Sequence, residues 1–185
     1  YIKKTANPKT VHIIGGGIGG MEAARVLKLR GHNPVIHEKS DRLGGTFIPA
    51  SAESYKGKLR DLLKWYIRQM EILGIEVKYN DEVTDVSVFG KAPVIVATGA
   101  SPRQLRRVSG YEKMIEACDF LNGKEVGETV AVIGGGLTGS EIAYELALKG
   151  KKPIIVEMKD DLVSQKGVCL ANSSYLREWF ALNKV

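Results

Sequence analysis

The sequence predicts an α/β protein made of two βαβ units in tandem, and three observations predict it. A segment of the chain recurs without a gap 119 residues further on, from Val11 to Val130. Each copy opens with a short apolar run, passes three spaced glycines and continues with apolar residues at helical spacing. Each then closes on a second apolar run that stops at a glutamate. Strand and helix patterns alternating in this way belong to a parallel sheet with crossover helices.

The elements follow in order. The first strand is read over 11–14, and the helix after Gly15-Gly16-Gly17 ends at Arg30-Gly31, a basic residue before a capping glycine. Residues 35–37 form the second strand, terminated by Glu38, and Leu43-Gly44-Gly45 offers more flexible backbone behind it. Ser54 is placed as the cap of a helix whose Leu59, Leu62, Leu63, Tyr66, Ile67 and Met70 keep helical spacing until Gly74. That stripe is a core face. Strands are expected at 75–78, near 82–86 and at 93–97, the last breaking into Thr98-Gly99-Ala100-Ser101-Pro102-Arg103. The second copy repeats the opening: a strand at 130–133, Gly134-Gly135-Gly136, a helix up to Lys149-Gly150, then a strand at 154–156 and Glu157. A last helix is read from about 173 to 183.

The chemistry lies in the glycine spacing. Gly15, Gly17 and Gly20 form GxGxxG, as do Gly134, Gly136 and Gly139. The first glycine allows a tight turn, the second lets backbone approach a pyrophosphate, and the third lets helix and strand pack closely. The helix start then points its free amides at phosphate. Glu38 lies 18 residues beyond Gly20, and Glu157 lies 18 beyond Gly139, where a carboxylate accepts hydrogen bonds from an adenosine ribose. Both copies are therefore Rossmann-like dinucleotide-binding units. The charge on Glu157 also repels a 2′-phosphate, so the second site is expected to prefer NADH to NADPH, with Lys152 and Lys159 working against that preference.

Composition narrows the function classes. With 44% hydrophobic and 26% charged residues, the chain has the make-up of a globular protein. It has no apolar run of the roughly 20 residues that cross a bilayer and no apolar signal core at its start, so no membrane partner is expected and a cytoplasmic setting is. The net charge of +6 is spread out and lacks interleaved aromatics, which argues against nucleic acid. Cys118 and Cys169 are far apart, so no disulfide framework, zinc site or redox dithiol is read. His12 and His37 fall in strand runs and His32 in a loop, which suggests structural histidines rather than metal ligands or a triad. No catalytic residue and no metal site is assigned.

A family resemblance rests on four stretches: Gly15-Gly16-Gly17-Ile18-Gly19-Gly20-Met21-Glu22-Ala23-Ala24, Glu38 with Leu43-Gly44-Gly45, Val94-Ile95-Val96-Ala97-Thr98-Gly99, and Gly134-Gly135-Gly136-Leu137-Thr138-Gly139. They resemble the two-dinucleotide-binding-domain flavoproteins, which hold FAD at the first site and NAD(P)H at the second. Disulfide reductases of that superfamily carry a cysteine pair where this chain has Thr46-Phe47-Ile48-Pro49-Ala50-Ser51, so that activity is set aside. The stretch from Ser54-Tyr55-Lys56 through Trp65-Tyr66 to Leu73-Gly74-Ile75-Glu76 and Glu82-Val83-Thr84 is similar to the C-terminal module of the 2-enoate reductase, 2,4-dienoyl-CoA reductase and trimethylamine dehydrogenase family, also described as NADH:flavin oxidoreductase or NADH oxidase.

The resemblance implies a role for each matching residue. Gly15, Gly17 and Gly20 would hold the FAD pyrophosphate and Glu38 its ribose. Gly45 would lie beside the phosphates, Val83 would offer backbone to adenine, and Thr98 and Gly99 would close over the cofactor. Gly134, Gly136 and Gly139 would take the NADH pyrophosphate, Glu157 its adenosine ribose, and Glu141 would reach toward the nicotinamide. Ile18-Gly19 departs from the proline and alanine of many relatives. The implied organisation is an FAD-binding domain over 1–106 and an NAD(P)-binding domain over 107–185, the latter incomplete at its C-terminus. The resemblance also implies an upstream barrel carrying FMN and a four-iron four-sulfur (4Fe-4S) cluster. The parent would then pass hydride from NADH to FAD and electrons on to that barrel, which reduces enoates or similar substrates, while the isolated fragment would be inactive. The alternative is a module without chemistry that holds ADP in the FAD position. Hydride transfer needs the two rings stacked about 3 to 3.5 Å apart, and the cofactors supply the reactivity.

Overall fold

The computed structural model describes residues 2–103, 108–164 and 166–185. The chain divides into two compact units, Tyr1–Tyr111 and Glu112–Val185. The boundary expected between residues 106 and 107 lies outside the described residues.

In the first unit, β1 (Thr10–Ile14), β2 (Asn33–His37), β3 (Glu76–Lys78) and β4 (Val94–Val96) form one parallel sheet in the order β3-β2-β1-β4. Its register sets Val77, Ile36, Ile13 and Ile95 side by side, so one apolar row crosses the sheet. The helices are α1 (Ile18–Leu29), the short α2 (Phe47–Ala50) and α3 (Gly57–Ile72). Met21 and Ala24 of α1 and Met70 of α3 close over that row with Leu43 and Ile75. Each fully buried Ile or Met side chain there contributes roughly 1.5–3 kcal/mol. The glycines expected to end the helices do so: Gly31 and Gly74 both take positive φ.

Two local expectations are corrected. Ser54 does not stand at the cap position of α3, which starts at Gly57 with Lys56 in that place. Arg60, one turn inside, folds back and donates to the carbonyls of Ser51, Glu53 and Ser54 at 2.7, 2.6 and 3.2 Å, tying the preceding loop to the helix. The strand expected near 82–86 is absent, and a 3-10 turn spans Val86–Phe89. The Asp85 carboxylate accepts from the Ser87 amide at 2.8 Å and its hydroxyl at 2.6 Å, a local bond that competes with pairing into a sheet.

In the second unit, β5 (Thr129–Ile133) and β6 (Lys152–Val156) pair in parallel. Around them lie α4 (Ala117–Leu121), α5 (Leu137–Leu148) and α6 (Leu170–Asn183). Val132, Ala143, Leu146, Val163, Leu176 and Phe180 form the core. The last helix thus appears where it was expected, with its start at Leu170. Among the described residues no helix is long and apolar enough to cross a membrane.

Candidate nucleotide-binding sites

β1 runs into the first glycine turn, and the three glycines meet different demands. Gly15 has φ +105°, and a Cβ there would come 2.4 Å from the Ala97 carbonyl oxygen, because β4 ends alongside it. A Cβ on Gly20 would lie 1.9 Å from the Gly15 carbonyl oxygen, so only glycine lets α1 seat against the turn. Gly17 is the opposite case. It precedes α1 with extended backbone, and nothing lies within 4 Å of where its Cβ would be. Packing within the protein therefore does not require glycine at 17.

That open space faces the start of a helix with no side-chain cap and no acidic residue in its first turn. The first amides of a helix have no intrahelical partner and carry its positive end, so an anion fits there. The Leu43–Gly45 segment borders the same space: Gly44 N–H donates to Gly16 O at 2.9 Å, and Gly45 comes within 3.4 Å of Gly17 Cα when a Cβ is drawn on it.

Glu38 stands at the end of β2, 6% exposed. Its Oε2 accepts from the Gly16 amide at 2.6 Å, and its Oε1 accepts from the Ser40 amide at 2.8 Å and hydroxyl at 2.7 Å. Burial pushes the carboxyl up, but the Ser40 amide and hydroxyl, the Gly16 amide and the Lys39 charge together hold it below its ordinary value. It is ionised at neutral pH. A carboxylate offers roughly four lone-pair positions, so these three bonds leave one on Oε2 for a hydroxyl donor.

The second unit repeats this geometry. A Cβ on Gly139 would lie 1.9 Å from Gly134 O, and Val163 N–H donates to Gly135 O at 2.7 Å, the counterpart of the Gly44 bond. Gly136 precedes α5 with the same extended backbone as Gly17, again without a side-chain cap. Glu157 Oε2 accepts from the Gly135 amide at 2.6 Å, and Oε1 from the Met158 and Lys159 amides at 2.9 Å each. The Lys159 and Gly135 amides lead in holding Glu157 below its ordinary value, against burial and with help from Met158 and the Lys159 charge. Lys159 thus serves Glu157 first through its backbone amide and then through its charge.

The remaining expected residues fall in three places. Thr98 and Gly99 leave the end of β4, with a Thr98 atom 3.2 Å from the drawn Gly15 Cβ and Gly99 at φ +72°. Val83 is half-buried in the loop between β3 and the 3-10 turn, and Glu141 is half-buried in the second turn of α5. The sequence reading missed Gly16, Gly135 and Ser40. The signal for the two glycines was present, since both are identical across the repeat and each amide meets the glutamate. Cys118 is held above its usual range by burial and by Glu116, which does not suit a nucleophile.

A family model described as pyridine nucleotide-disulphide oxidoreductase matches residues 9–178, which include both glycine turns and both glutamates. The chain belongs to the pyridine nucleotide-disulphide oxidoreductase family. Disulphide chemistry in the family name has no counterpart in the first unit, because both cysteines lie in the second. Among relatives, the chain is 42% identical over 188 residues to a cinnamate reductase of Clostridium sporogenes, with all of this chain and 28% of that protein covered. It is 38% identical over 170 residues to an NADH oxidase of Thermoanaerobacter brockii, covering 87% of this chain and 26% of the relative. A solved structure of 2-naphthoyl-CoA reductase in complex with 2-naphthoyl-CoA superposes with a TM-score of 0.86 at 29% identity, over all of this chain and 28% of that one. The chain thus spans little more than a quarter of the length of these proteins, and the resemblance to enoate-reductase-type flavoproteins holds.

Proposed function

We propose that this chain is the two-nucleotide module of a flavin-dependent oxidoreductase, with FAD at the Gly15–Gly17–Gly20 turn and NADH at the Gly134–Gly136–Gly139 turn. The open space before Gly17, at an uncapped helix start beside an ionised glutamate, carries the reading. The groups present fit an adenosine diphosphate moiety: helix-start amides for the pyrophosphate and a lone pair on Glu38 Oε2 for a ribose hydroxyl. Gly45 would border the phosphates, Val83 would meet adenine through its backbone, and Thr98 and Gly99 would flank the cofactor at the end of β4. Glu157 would take the NADH adenosine ribose and repel a 2′-phosphate, and Glu141 would lie toward the nicotinamide.

Bound FAD would supply a two-electron acceptor for the hydride of NADH. The residues of this chain bind and orient; none is asked to move a proton. In the whole protein the electrons would pass to a barrel holding FMN and a 4Fe-4S cluster, and an enoate or similar substrate would be reduced there. The names of the cinnamate reductase and the 2-naphthoyl-CoA reductase support this class of substrate. The test is the colour of the purified full-length protein. Flavin absorbance that NADH bleaches is the expected result. A colourless protein that releases ADP on denaturation would replace FAD by ADP at the first site, and a protein that binds neither nucleotide would overturn the reading.

A further inference from the structure

The two copies share glycines and glutamates but differ beneath them. On the face of the first sheet turned away from α1 and α3, Asp81 Oδ2 lies 2.7 Å from His37 Nδ1, and His37 Nε2 lies 2.9 Å from His12 Nδ1. His37 is 4% exposed. Phe89 covers both imidazoles, stacked on His12 at 4.1 Å and tilted over His37 at 4.9 Å between centroids. The matching positions of the second copy hold Ala131 and Val156, so the chain of side chains belongs to the first site alone.

The bonding has a direction. An ionised Asp81 accepts from His37 Nδ1–H, which leaves the His37 Nε2 lone pair to accept from His12 Nδ1–H. Burial, His37 and Lys78 all lower the basicity of His12, against the pull of Glu76. The groups facing the pair are thus Glu76 and Lys78 on β3, Asp81 after it, and the uncharged Phe89.

The segment that Asp81 belongs to is the one that holds Glu38. Glu38 N–H donates to Lys78 O at 2.9 Å, Asp81 N–H donates to Glu38 O at 2.9 Å, and Asn80 N–H donates to Ser40 O at 3.0 Å. Asn80 takes φ +54°, a left-handed turn that this bonding fixes. Residues 78–81 thus hold the Glu38 backbone and its donor Ser40 by three main-chain bonds, and the Asp81–His37 bond pins those residues to the sheet by a side chain.

We infer that His37 is a positioning residue for the first nucleotide site, holding Asp81 and through it the Glu38 carboxylate in place for the ribose. The inference rests on the reading that Glu38 accepts a ribose hydroxyl. It is tested by titrating the cofactor-depleted full-length protein with FAD, followed by flavin fluorescence, and with NADH, followed by its own fluorescence. His37→Phe keeps an aromatic ring, a slightly larger one, and removes the bond, and should raise the Kd for FAD about tenfold, the size of a charge-assisted hydrogen bond, while the Kd for NADH stays unchanged. Asp81→Ala, at a side chain 40% exposed, should give the same loss without disturbing the core. The double variant should be no worse than either single one. His37→Asn, whose Nδ2 takes the place of Nδ1 and still donates to Asp81, should recover most of the affinity.

If Glu38→Ala weakens FAD while His37→Phe and Asp81→Ala both stay within about twofold of the parent, a change too small for a lost charged bond, the positioning role is overturned alone. His37→Asn binding as poorly as His37→Phe overturns it too. If Glu38→Ala itself leaves FAD binding unchanged, the ribose assignment fails and the inference goes with it.

Discussion

The same substitution at two glycines three residues apart should have opposite consequences. A Cβ on Gly20 would stand 1.9 Å from the backbone oxygen of Gly15, whereas real Cβ atoms essentially never come under 3.0 Å. Relief needs more than 1 Å of movement between α1 and the end of β1, and neither partner is a flexible side chain. Overpacking of this kind costs about 3 kcal/mol or more, of which alanine's better helix propensity returns about 1 kcal/mol. A net loss of about 2 kcal/mol should lower the melting temperature by roughly 10 °C for a unit of this size. Gly17→Ala meets open space, and the loss of glycine before the helix costs at most about 1 kcal/mol. It should melt within about 5 °C of the parent yet bind FAD at least about tenfold more weakly, since its methyl occupies the place assigned to the pyrophosphate. Differential scanning fluorimetry and FAD titration on the two variants decide the matter. Undiminished FAD affinity in Gly17→Ala, or an unchanged melting temperature in Gly20→Ala, would refute the division of labour between these glycines.

Three further outcomes are expected. Glu38 has a folded-state pKa held below its ordinary 4.5, so the stability it contributes is present above that value and is lost as pH falls through the folded pKa; urea unfolding between about pH 7 and pH 3 should show this, and Glu38→Gln should flatten the acid limb. Glu157→Ser should narrow the preference for NADH over NADPH by about tenfold, measured as the ratio of the two Kd values, because it removes a charge that repels a 2′-phosphate. Arg60→Ala strips three carbonyls of their charged donor and should cost about 2 kcal/mol in chemical denaturation, with Arg60→Lys no better because a single ammonium cannot span the fork.

The repeat made the fold legible. Two strands, a helix and a glutamate in fixed order, found twice, placed β1, α1 and β2 and then β5, α5 and β6 close to where they lie. What the pattern could not carry was chemistry that crosses between segments. Ser40 looks like any loop serine until its amide and hydroxyl are seen on Glu38. Arg60 reads as one more charge on an exposed helix face, yet it ties the loop before α3 to the helix by reaching back to three carbonyls. The residues near 82–86 carry β-branched Val83, Thr84 and Val86, which suit a strand, but a two-residue bond from Asp85 to Ser87 decides their course. Val163 is the hardest case. It aligns with Gly44 and takes φ +49°, a conformation that costs a β-branched residue about 1–3 kcal/mol, and it is held there by burial at 2% exposure and by its amide bond to Gly135.

Comparison of the two turns separates what local sequence dictates from what surroundings add. Gly15 and Gly134 take nearly the same φ, +105° and +103°. Gly15 is crowded by the end of β4, while no described atom lies within 4 Å of a Cβ drawn on Gly134. Crowding therefore cannot be the cause of the shared backbone. The cause lies within each turn: an amide after the strand reaches across to the next strand end, Gly15 to His37 O at 2.8 Å and Gly134 to Val156 O at 2.9 Å, and the following glycine amide meets the glutamate at 2.6 Å. Those two bonds recur at nearly the same lengths in both units, and their amide donors and side-chain acceptor are the glycines and the glutamate that the repeat displays. Neighbouring strands and the histidine pair then differentiate the sites, which is why the pyrophosphate cradle could be read from sequence while the support beneath it could not.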